Sequence, residues 1–318
     1  MHTMDAVLDT FSNSSVYRGR FAPSPTGPLH FGSLVTAVGS YLDARSHNGE
    51  WRVRIEDLDP PREVPGAARD MLVLLEKLGM EWDGEVVYQS QRHDLYRAAL
   101  AQLKKETLIY PCFCSRKEVA ASKLTGIDGP IYPGTCRKAR DNGQNNQQQK
   151  RSAMRVTTDN RRIKLVDRVQ GFLSQRIGQD IGDFTLRRTD GVFAYQLAVV
   201  VDDADQHITH VVRGSDLLDS TPRQIFLQQL LKYPVPVYMH LPLATNRRGE
   251  KLSKQTFAAP VSQFDVLSQL VAALRFLGQN PPQALHDSNL ETFWQWAVQH
   301  WRTDRIPISS APVSFFIK

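Results

Sequence analysis

The feature that most constrains this chain is a strand–turn–helix unit between Tyr17 and Arg45, followed by more strand-like and helix-like segments in alternation. Tyr17–Ala22 (YRGRFA) reads as a short buried strand. Pro23–Pro28 (PSPTGP) is a loop punctuated by proline and glycine. From about His30 to Arg45, the apolar residues Leu34, Val35, Val38, Tyr41 and Leu42 recur at helical spacing. Trp51–Ile55 alternates like a second strand. Gly66–Leu78 puts Met71, Leu74, Leu75 and Leu78 on one helical face, and Arg92 to about Glu106 reads as a further helix. This alternation predicts an α/β fold, a Rossmann-like doubly wound parallel sheet.

The pattern then breaks. Cys112–Cys136 is short, irregular and rich in glycine and proline, and Arg137–Ser152 (RKARDNGQNNQQQKRS) is polar and low in complexity, as a loop would be. Strand-like runs resume at Ala153–Val156 and Ile163–Val169. Phe193–Val201 is simply apolar, and His207–Arg213 (HITHVVR) reads as a strand of a second half-sheet. Thr221–Lys232 opens with Thr-Pro, as helices often do. Tyr238–Ala244 is a strand that leads into the basic loop RRGEKLSKQ. Two apolar stripes fit two closing helices: Leu267, Leu270, Val271, Leu274 and Leu277, then Leu290, Phe293, Ala297, Val298 and Trp301.

Thirty-nine Lys and Arg against 33 Asp and Glu give a formal charge of +6. That balance suits a polyanionic partner such as a nucleic acid, and equally a solvated basic surface. No apolar run approaches the roughly 20 residues needed to span a bilayer. The start, MHTMDAVLDTFSNSS, lacks the basic and apolar regions of a secretory signal. Three cysteines, an odd number, do not make a disulfide framework and fit a reducing cytoplasm.

Two short motifs carry the chemistry. Leu29–Ser33 (LHFGS) lies where the first loop passes into its helix. The free N–H groups and positive end of such a helix form an anion site. His30 can donate to a phosphate oxygen, and Gly32 lets a nucleotide approach the backbone. The plainer reading is a helix that merely begins on a polar residue. The second motif, Lys251–Gln255 (KLSKQ), sets two lysines and a serine where they could neutralise a triphosphate, although basic loops are more often simply solvated. No GxGxxG or GxxxxGK[ST] loop is present.

The order and separation of these motifs resemble the HIGH and KMSKS motifs of class I aminoacyl-tRNA synthetases. RFAPSPTG (Arg20–Gly27), RIEDLDPPRE (Arg54–Glu63), YQLAVVVDD (Tyr195–Asp203) and HVVRGSDLLDSTPRQ (His210–Gln224) resemble glutamyl- and glutaminyl-tRNA synthetases. HFGS stands where HIGH would, KLSKQ where KMSKS would, and only 63 residues follow Gln255. Those departures resemble the glutamyl-queuosine tRNA(Asp) synthetases, a family without the anticodon-binding body. The alternatives are a truncated glutamyl-tRNA synthetase that charges an acceptor end, a small-molecule ligase or nucleotidyltransferase, and a non-catalytic tRNA-binding paralogue.

The resemblance implies a ligase that activates L-glutamate with ATP, without tRNA, and transfers it to queuosine at the wobble position of tRNA(Asp). It implies a glutamate pocket of Arg20, Phe21, Ala22, Pro23, Ser24, Glu56, Tyr195 and Arg213. Arginine suits carboxylates, because its donors form a planar fork. Arg20, Glu56 and Arg213 could instead form internal ion pairs. ATP, carrying Mg²⁺, would meet His30, Gly32, Ser33, Lys251, Ser253 and Lys254, with His30, Gly32 and Lys254 catalytic. Asp57 and Asp59 are weaker candidates for a metal or acid–base pair.

All three cysteines fall in Cys112-x-Cys114 and Tyr132-x-x-x-Cys136, with no histidine inside that window. Thiolates bind zinc well, but a tetrahedral site needs four ligands, and spacing alone leaves free thiols as ready an account. The resemblance implies one structural zinc on Cys112, Cys114, Tyr132 and Cys136. The expected layout is an extension over residues 1–16, a catalytic domain over 17–257 with a zinc-binding insertion at about 108–152, and a helical tail over 258–318. A cytoplasmic monomer is the default. Lys123, Arg137, Lys138 and Arg140 are candidate phosphate contacts or solvated charges.

Overall fold

A computed structural model describes residues 16–127, 129–143, 151–246, 248–251, 261 and 265–312. The first half builds β1 (Arg18–Phe21), α1 (Phe31–Ser46), β2 (Glu50–Ile55), α2 (Ala67–Lys77), β3 (Val87–Tyr88) and α3 (His93–Lys105). β1 runs parallel to β2, with Arg18 opposite Glu50 and Phe21 opposite Val53. β2 runs parallel to β3, with Ile55 opposite Tyr88. α1 stops where Asn48 takes a left-handed φ of 52°, and the Gly49 N–H folds back to Ala44 O at 2.9 Å. An asparagine tolerates that conformation better than most residues, which makes it a good helix terminator.

The middle of the chain is antiparallel. It holds β4 (Ile109–Cys112), α4 (Arg116–Ala120), the two-residue strands β5 (Thr125–Gly126) and β6 (Gly129–Pro130), and α5 (Thr135–Asp141). β7 (Ala153–Val156), β8 (Arg162–Asp167), β9 (Gly171–Arg176) and β10 (Thr185–Arg187) follow. β7 is flanked by β4 and β10, while β8 and β9 form a hairpin of their own. The segment expected to be irregular therefore contains a helix, α4. A reciprocal cap between Ser115 and Glu118 starts it. α5 takes up Arg137–Asp141, where a loop was expected, and residues 144–150 lie outside the described residues.

The second half returns to the parallel sheet. α6 (Tyr195–Asp205) covers most of the apolar run Phe193–Val201. Its residues from Leu197 to Asp203 are all buried, which erases the period that would have marked it as a helix. β11 (His210–Gly214) and β12 (Val237–Leu241) are parallel and joined through α7 (Thr221–Leu231). β11 lies beside β1, because the Thr209 N–H donates to Arg18 O at 3.0 Å and the Arg18 N–H to Thr209 Oγ1 at 2.8 Å. The strand order is thus β3–β2–β1–β11–β12, and the direction of winding reverses between β1 and β11. In open α/β sheets that reversal opens a crevice at the strands' carboxyl ends.

Two apolar cores result. One joins α1, β1, β2 and α2 to the last helices, α8 (Val266–Phe276) and α9 (Leu290–Gln299). The other joins α3, α6 and α7 to the middle strands. The closing segment is therefore built into the sheet's own core. Leu270, Val271 and Leu274 are fully buried, each worth roughly 1.5–3 kcal/mol relative to exposure. Phe276 meets Phe31 edge-on, Trp294 Nε1 donates to Leu78 O at 2.9 Å, and Trp301 Nε1 donates to Asp43 Oδ1 at 3.1 Å. β13 (Ala244–Thr245) pairs in parallel with β14 (Ala311–Pro312) nearby. No helix among the described residues is long and apolar enough to cross a membrane.

Candidate active site

The carboxyl ends of β1, β2 and β11 bring Arg20, Glu56 and Arg213 to the crevice. Arg20, although buried, is already paired: it donates to Asp203 from Nε at 3.2 Å and from Nη2 at 3.4 Å. Asp203 also receives Arg54 Nη1 at 2.8 Å, and Arg54 reaches Glu56 Oε1 at 3.3 Å. Behind them, Asp202 accepts from Arg92 Nε at 2.6 Å, Gln89 Nε2 at 2.7 Å and the Tyr96 hydroxyl at 2.8 Å. The internal pairing weighed for Arg20 and Glu56 is thus present. Buried charges require such satisfaction. Burial raises the Glu56 carboxyl above its ordinary range, with Arg54 and Arg20 pulling the other way. A cation brought beside Glu56 would favour its ionised form.

Arg213 is different. It is buried, yet none of its hydrogen-bond partners among the described residues is a carboxylate. Nη1 donates to the Tyr195 hydroxyl at 3.3 Å, Nη2 to Thr221 Oγ1 at 2.9 Å and to Leu217 O at 3.4 Å, and Nε to His240 Nε2 at 3.1 Å. The other ring nitrogen of His240 meets Asp167 Oδ2 at 2.6 Å. An acceptor at Nε2 requires the proton on Nδ1, where Asp167 receives it. Burial holds His240 below its ordinary pKa, which keeps the ring neutral and able to accept. Tyr195, at the start of α6, has its hydroxyl in the combined field of Arg213, Glu56, Arg20 and Asp203, so these groups form one cluster.

The other expected site residues divide. His30 is the cap of α1. Its Nδ1 accepts the Ser33 N–H at 3.3 Å, and Ser33 Oγ lies 3.3 Å from Nε2. The plainer role of starting the helix is therefore filled, and the residue is half-buried. A Cβ on Gly32 would sit 3.2 Å from the His30 ring and 3.7 Å from Ala244. Phe21 turns into the core and stacks with Trp51, so only its backbone can face the crevice. Pro23 O accepts the Glu56 N–H at 2.9 Å, tying the first loop to the end of β2, while Ser24 is exposed and Ala22 half-buried. Lys251 Nζ pairs with Asp216 at 2.5 Å. Ser253 and Lys254 lie outside the described residues. Asp57 is occupied by the Ser90 N–H and hydroxyl, and Asp59 by Arg62 and Arg188. Arg137 binds Asp183 and Arg140 binds Asp141, whereas Lys123 and Lys138 are exposed.

The three cysteines converge, with their Sγ atoms all within 4.8 Å of one another. Cys114 Sγ lies 3.6 Å from Cys136 Sγ and 3.6 Å from the Tyr132 hydroxyl. The Phe113 N–H donates to Cys136 Sγ at 3.4 Å, and the Cys136 N–H to the Tyr132 hydroxyl at 2.7 Å. Sulfurs at zinc-bond lengths of about 2.3 Å around a tetrahedral ion would lie about 3.8 Å apart, close to the separation of Cys114 and Cys136. Three soft donors and a phenol so disposed suit a metal. The surrounding core is only Tyr110, Cys112 and Tyr132 with a few half-buried neighbours.

Reasoning residue by residue did not single out Arg54, Asp167, Asp202, Asp203 or His240. Arg54, Asp202 and Asp203 stood inside the strings that carried the resemblance. His240 and Asp167 read as ordinary strand residues, and only the fold brings them together.

Comparison with known proteins identifies the family and the fold. The family described as tRNA synthetases class I (E and Q), catalytic domain, matches residues 16–284. The glutamyl-Q tRNA(Asp) synthetase of Dechloromonas aromatica is 56% identical over 299 residues, covering 93% of this chain and 98% of its own length. That of Aromatoleum aromaticum is 54% identical over 291 residues, covering 92% and 90%. Two glutamate-tRNA synthetase crystal structures share the fold at 24% identity. That of Elizabethkingia anophelis has a TM-score of 0.75 over 95% of this chain and 70% of that one, and that of Elizabethkingia meningosepticum has a TM-score of 0.74 over 95% and 69%. The fold, the crevice at the winding reversal and this degree of identity place the chain in the glutamyl-Q tRNA(Asp) synthetase family of class I tRNA synthetases.

Proposed function

We propose that the crevice binds L-glutamate and ATP, forms glutamyl-adenylate without tRNA, and delivers the glutamyl group to queuosine in tRNA(Asp). The observation that carries the glutamate reading is Arg213, a buried cation whose hydrogen-bond partners among the described residues are all uncharged. A substrate carboxylate would complete its fork, which Tyr195, Thr221 and His240 hold. Glu56 supplies a carboxylate for the substrate ammonium. Arg20, held by Asp203, adds a second positive pole for the other substrate carboxylate.

Glutamate's α-carboxylate then attacks the α-phosphorus of ATP, which carries Mg²⁺. The P–O bond to pyrophosphate breaks, and a mixed anhydride is left. The protein contributes position and charge rather than a covalent bond. His30, Gly32, Ser33 and the amino end of α1 would meet the phosphates, and Lys251, Ser253 and Lys254 would serve the pyrophosphate. A hydroxyl of the queuosine cyclopentenediol attacks the acyl carbon, and AMP leaves. Zinc, held by Cys112, Cys114, Cys136 and Tyr132, would staple an insertion whose own core is too small to fold it. Residues 17–257 then form the catalytic unit, residues 108–152 its insertion, and 258–318 the closing segment.

The test is charging of labelled glutamate onto tRNA with and without queuosine, followed by mass spectrometry of the modified nucleoside, alongside glutamate-dependent ATP–pyrophosphate exchange. The expected result is exchange without tRNA and label on queuosine alone. Label on the tRNA acceptor end, or no exchange, would overturn the reading.

A further inference from the structure

The β8–β9 hairpin has a face that the crevice does not use. Its register sets Arg162 opposite Arg176, Lys164 opposite Ser174 and Val166 opposite Phe172. Directly opposed residues share a face. Ile163, Leu165 and Asp167, with Gln175, turn inward and are buried, so the other six point out. Val166 and Phe172 are 62% and 66% exposed, the latter an aromatic residue largely in water. Ile308, 65% exposed, lies near the hairpin turn, where its carbonyl accepts from Gln170.

The charges on this face are all positive. Arg162 has only a 3.3 Å contact to Ser174 Oγ, and Arg176 one to Gln179 Oε1. Among the described residues, neither they nor Lys164 take part in an ion pair. The nearest acid on the ribbon, Asp167, is inward and committed to His240. Asp180 is committed to the Arg176 backbone N–H at 2.6 Å. Two like charges directly opposed across a strand pair destabilise it. The hairpin carries that cost at its open end and an exposed aromatic near its turn on the same face, with Lys164 between them, which is the composition of a surface for a polyanion with stackable rings.

We infer that the outer face of the β8–β9 hairpin docks the tRNA substrate, with Arg162, Lys164 and Arg176 on its phosphates and Phe172 against a ribose or base. This rests on the tRNA-modifying reading above and extends it to a second, non-catalytic contact. Backbone contacts of this kind position the nucleic acid without reading its sequence.

The opposed arginines supply a test that separates docking from folding. Arg162→Glu puts an acid across from Arg176, so the variant keeps or raises the melting temperature while it weakens tRNA binding. The dependence of log K on log salt becomes shallower by about 1. The triple variant Arg162→Gln, Lys164→Gln, Arg176→Gln makes it shallower by about 2 to 3 and raises Kd for tRNA at least about tenfold. Phe172→Ser raises Kd without changing the slope. In all of them, ATP–pyrophosphate exchange with glutamate stays at the wild-type rate, because adenylate formation needs no tRNA.

Wild-type tRNA affinity and slope in the triple variant would overturn the inference while leaving the proposed function standing. So would a concentration-dependent dimer of the parent protein that Phe172→Ser dissociates without loss of tRNA affinity, because the face would then bind a second copy. Absence of exchange in the unmodified protein would instead strike the proposed function.

Discussion

Replacing Asp167 by asparagine tests how Arg213 is held. Oδ1 of Asp167 accepts the backbone N–H groups of His240, Val169 and Gln170 at 3.1, 3.0 and 2.9 Å, and an amide oxygen can do the same. That leaves the new NH2 group where Oδ2 now takes the His240 proton at 2.6 Å. His240 must then accept at Nδ1 and carry its proton on Nε2. That proton faces Arg213 Nε, 3.1 Å away, and two donors confront each other. A hydrogen bond to a charged group is worth about 1.5–3 kcal/mol, and each 1.4 kcal/mol is about tenfold. Glutamate kcat/KM should therefore fall about 10- to 100-fold, chiefly through KM, because in the proposed pocket Arg213 would hold the substrate before and during reaction alike. ATP–pyrophosphate exchange at varied glutamate, then at varied ATP, reads this, and the KM for ATP should not move. His240→Gln, which can still offer an acceptor, should lose less. A glutamate response within twofold of the parent in a variant that melts normally would refute the relay.

Arg213→Ala should raise the glutamate requirement more than Asp167→Asn does, and an unaltered glutamate titration would remove Arg213 from the pocket. Asp203→Ala strips the carboxylate from Arg20 and Arg54 and should cost about 3–5 kcal/mol, read as a lower denaturant midpoint; an unchanged midpoint would contradict the pairing. His210, in contact with Tyr17 and near Asp43, Arg168 and His47, is pushed down to about 4 by burial. Below its unfolded pKa of about 6.5 the unfolded chain takes a proton that the folded one refuses. Its stability contribution is therefore whole above that pH and drains away towards about 4, and His210→Phe should flatten the melting temperature over that window. Elemental analysis should find one zinc per chain, and a strong chelator or Cys136→Ser should open residues 112–136 to protease while exchange persists. Metal-free protein with an equally protected insertion would remove the zinc.

The parallel half-sheets were legible because their strands and helices follow one another with clear apolar periods, from Leu34 to Leu42 and from Met71 to Leu78. α6 was not, because burial on every side removes the period. Nor was β9, since Gly171–Arg176 (GFLSQR) keeps polar residues on both faces. In the crevice, Arg20, Glu56, Tyr195 and Arg213 could be named from the resemblance. Their partners could not, because the pairing of Arg20 with Asp203 spans 183 positions and that of Asp167 with His240 spans 73. A charge three bonds beyond the backbone carries no sequence period, so only the closed sheet discloses who balances whom.

A chain of ion pairs, Arg20–Asp203–Arg54–Asp202–Arg92, ties β1 and β2 to α6 and to the residue that opens α3. Oil against oil has no preferred alignment and tolerates sliding. A row of guanidinium forks locked onto carboxylates permits one alignment only, and any slip would strand ions in a medium that cannot solvate them. β1, β2 and α6 are thus keyed to one another at the carboxyl ends of the strands, by the same pairing of guanidinium with carboxylate that the proposed glutamate pocket would use.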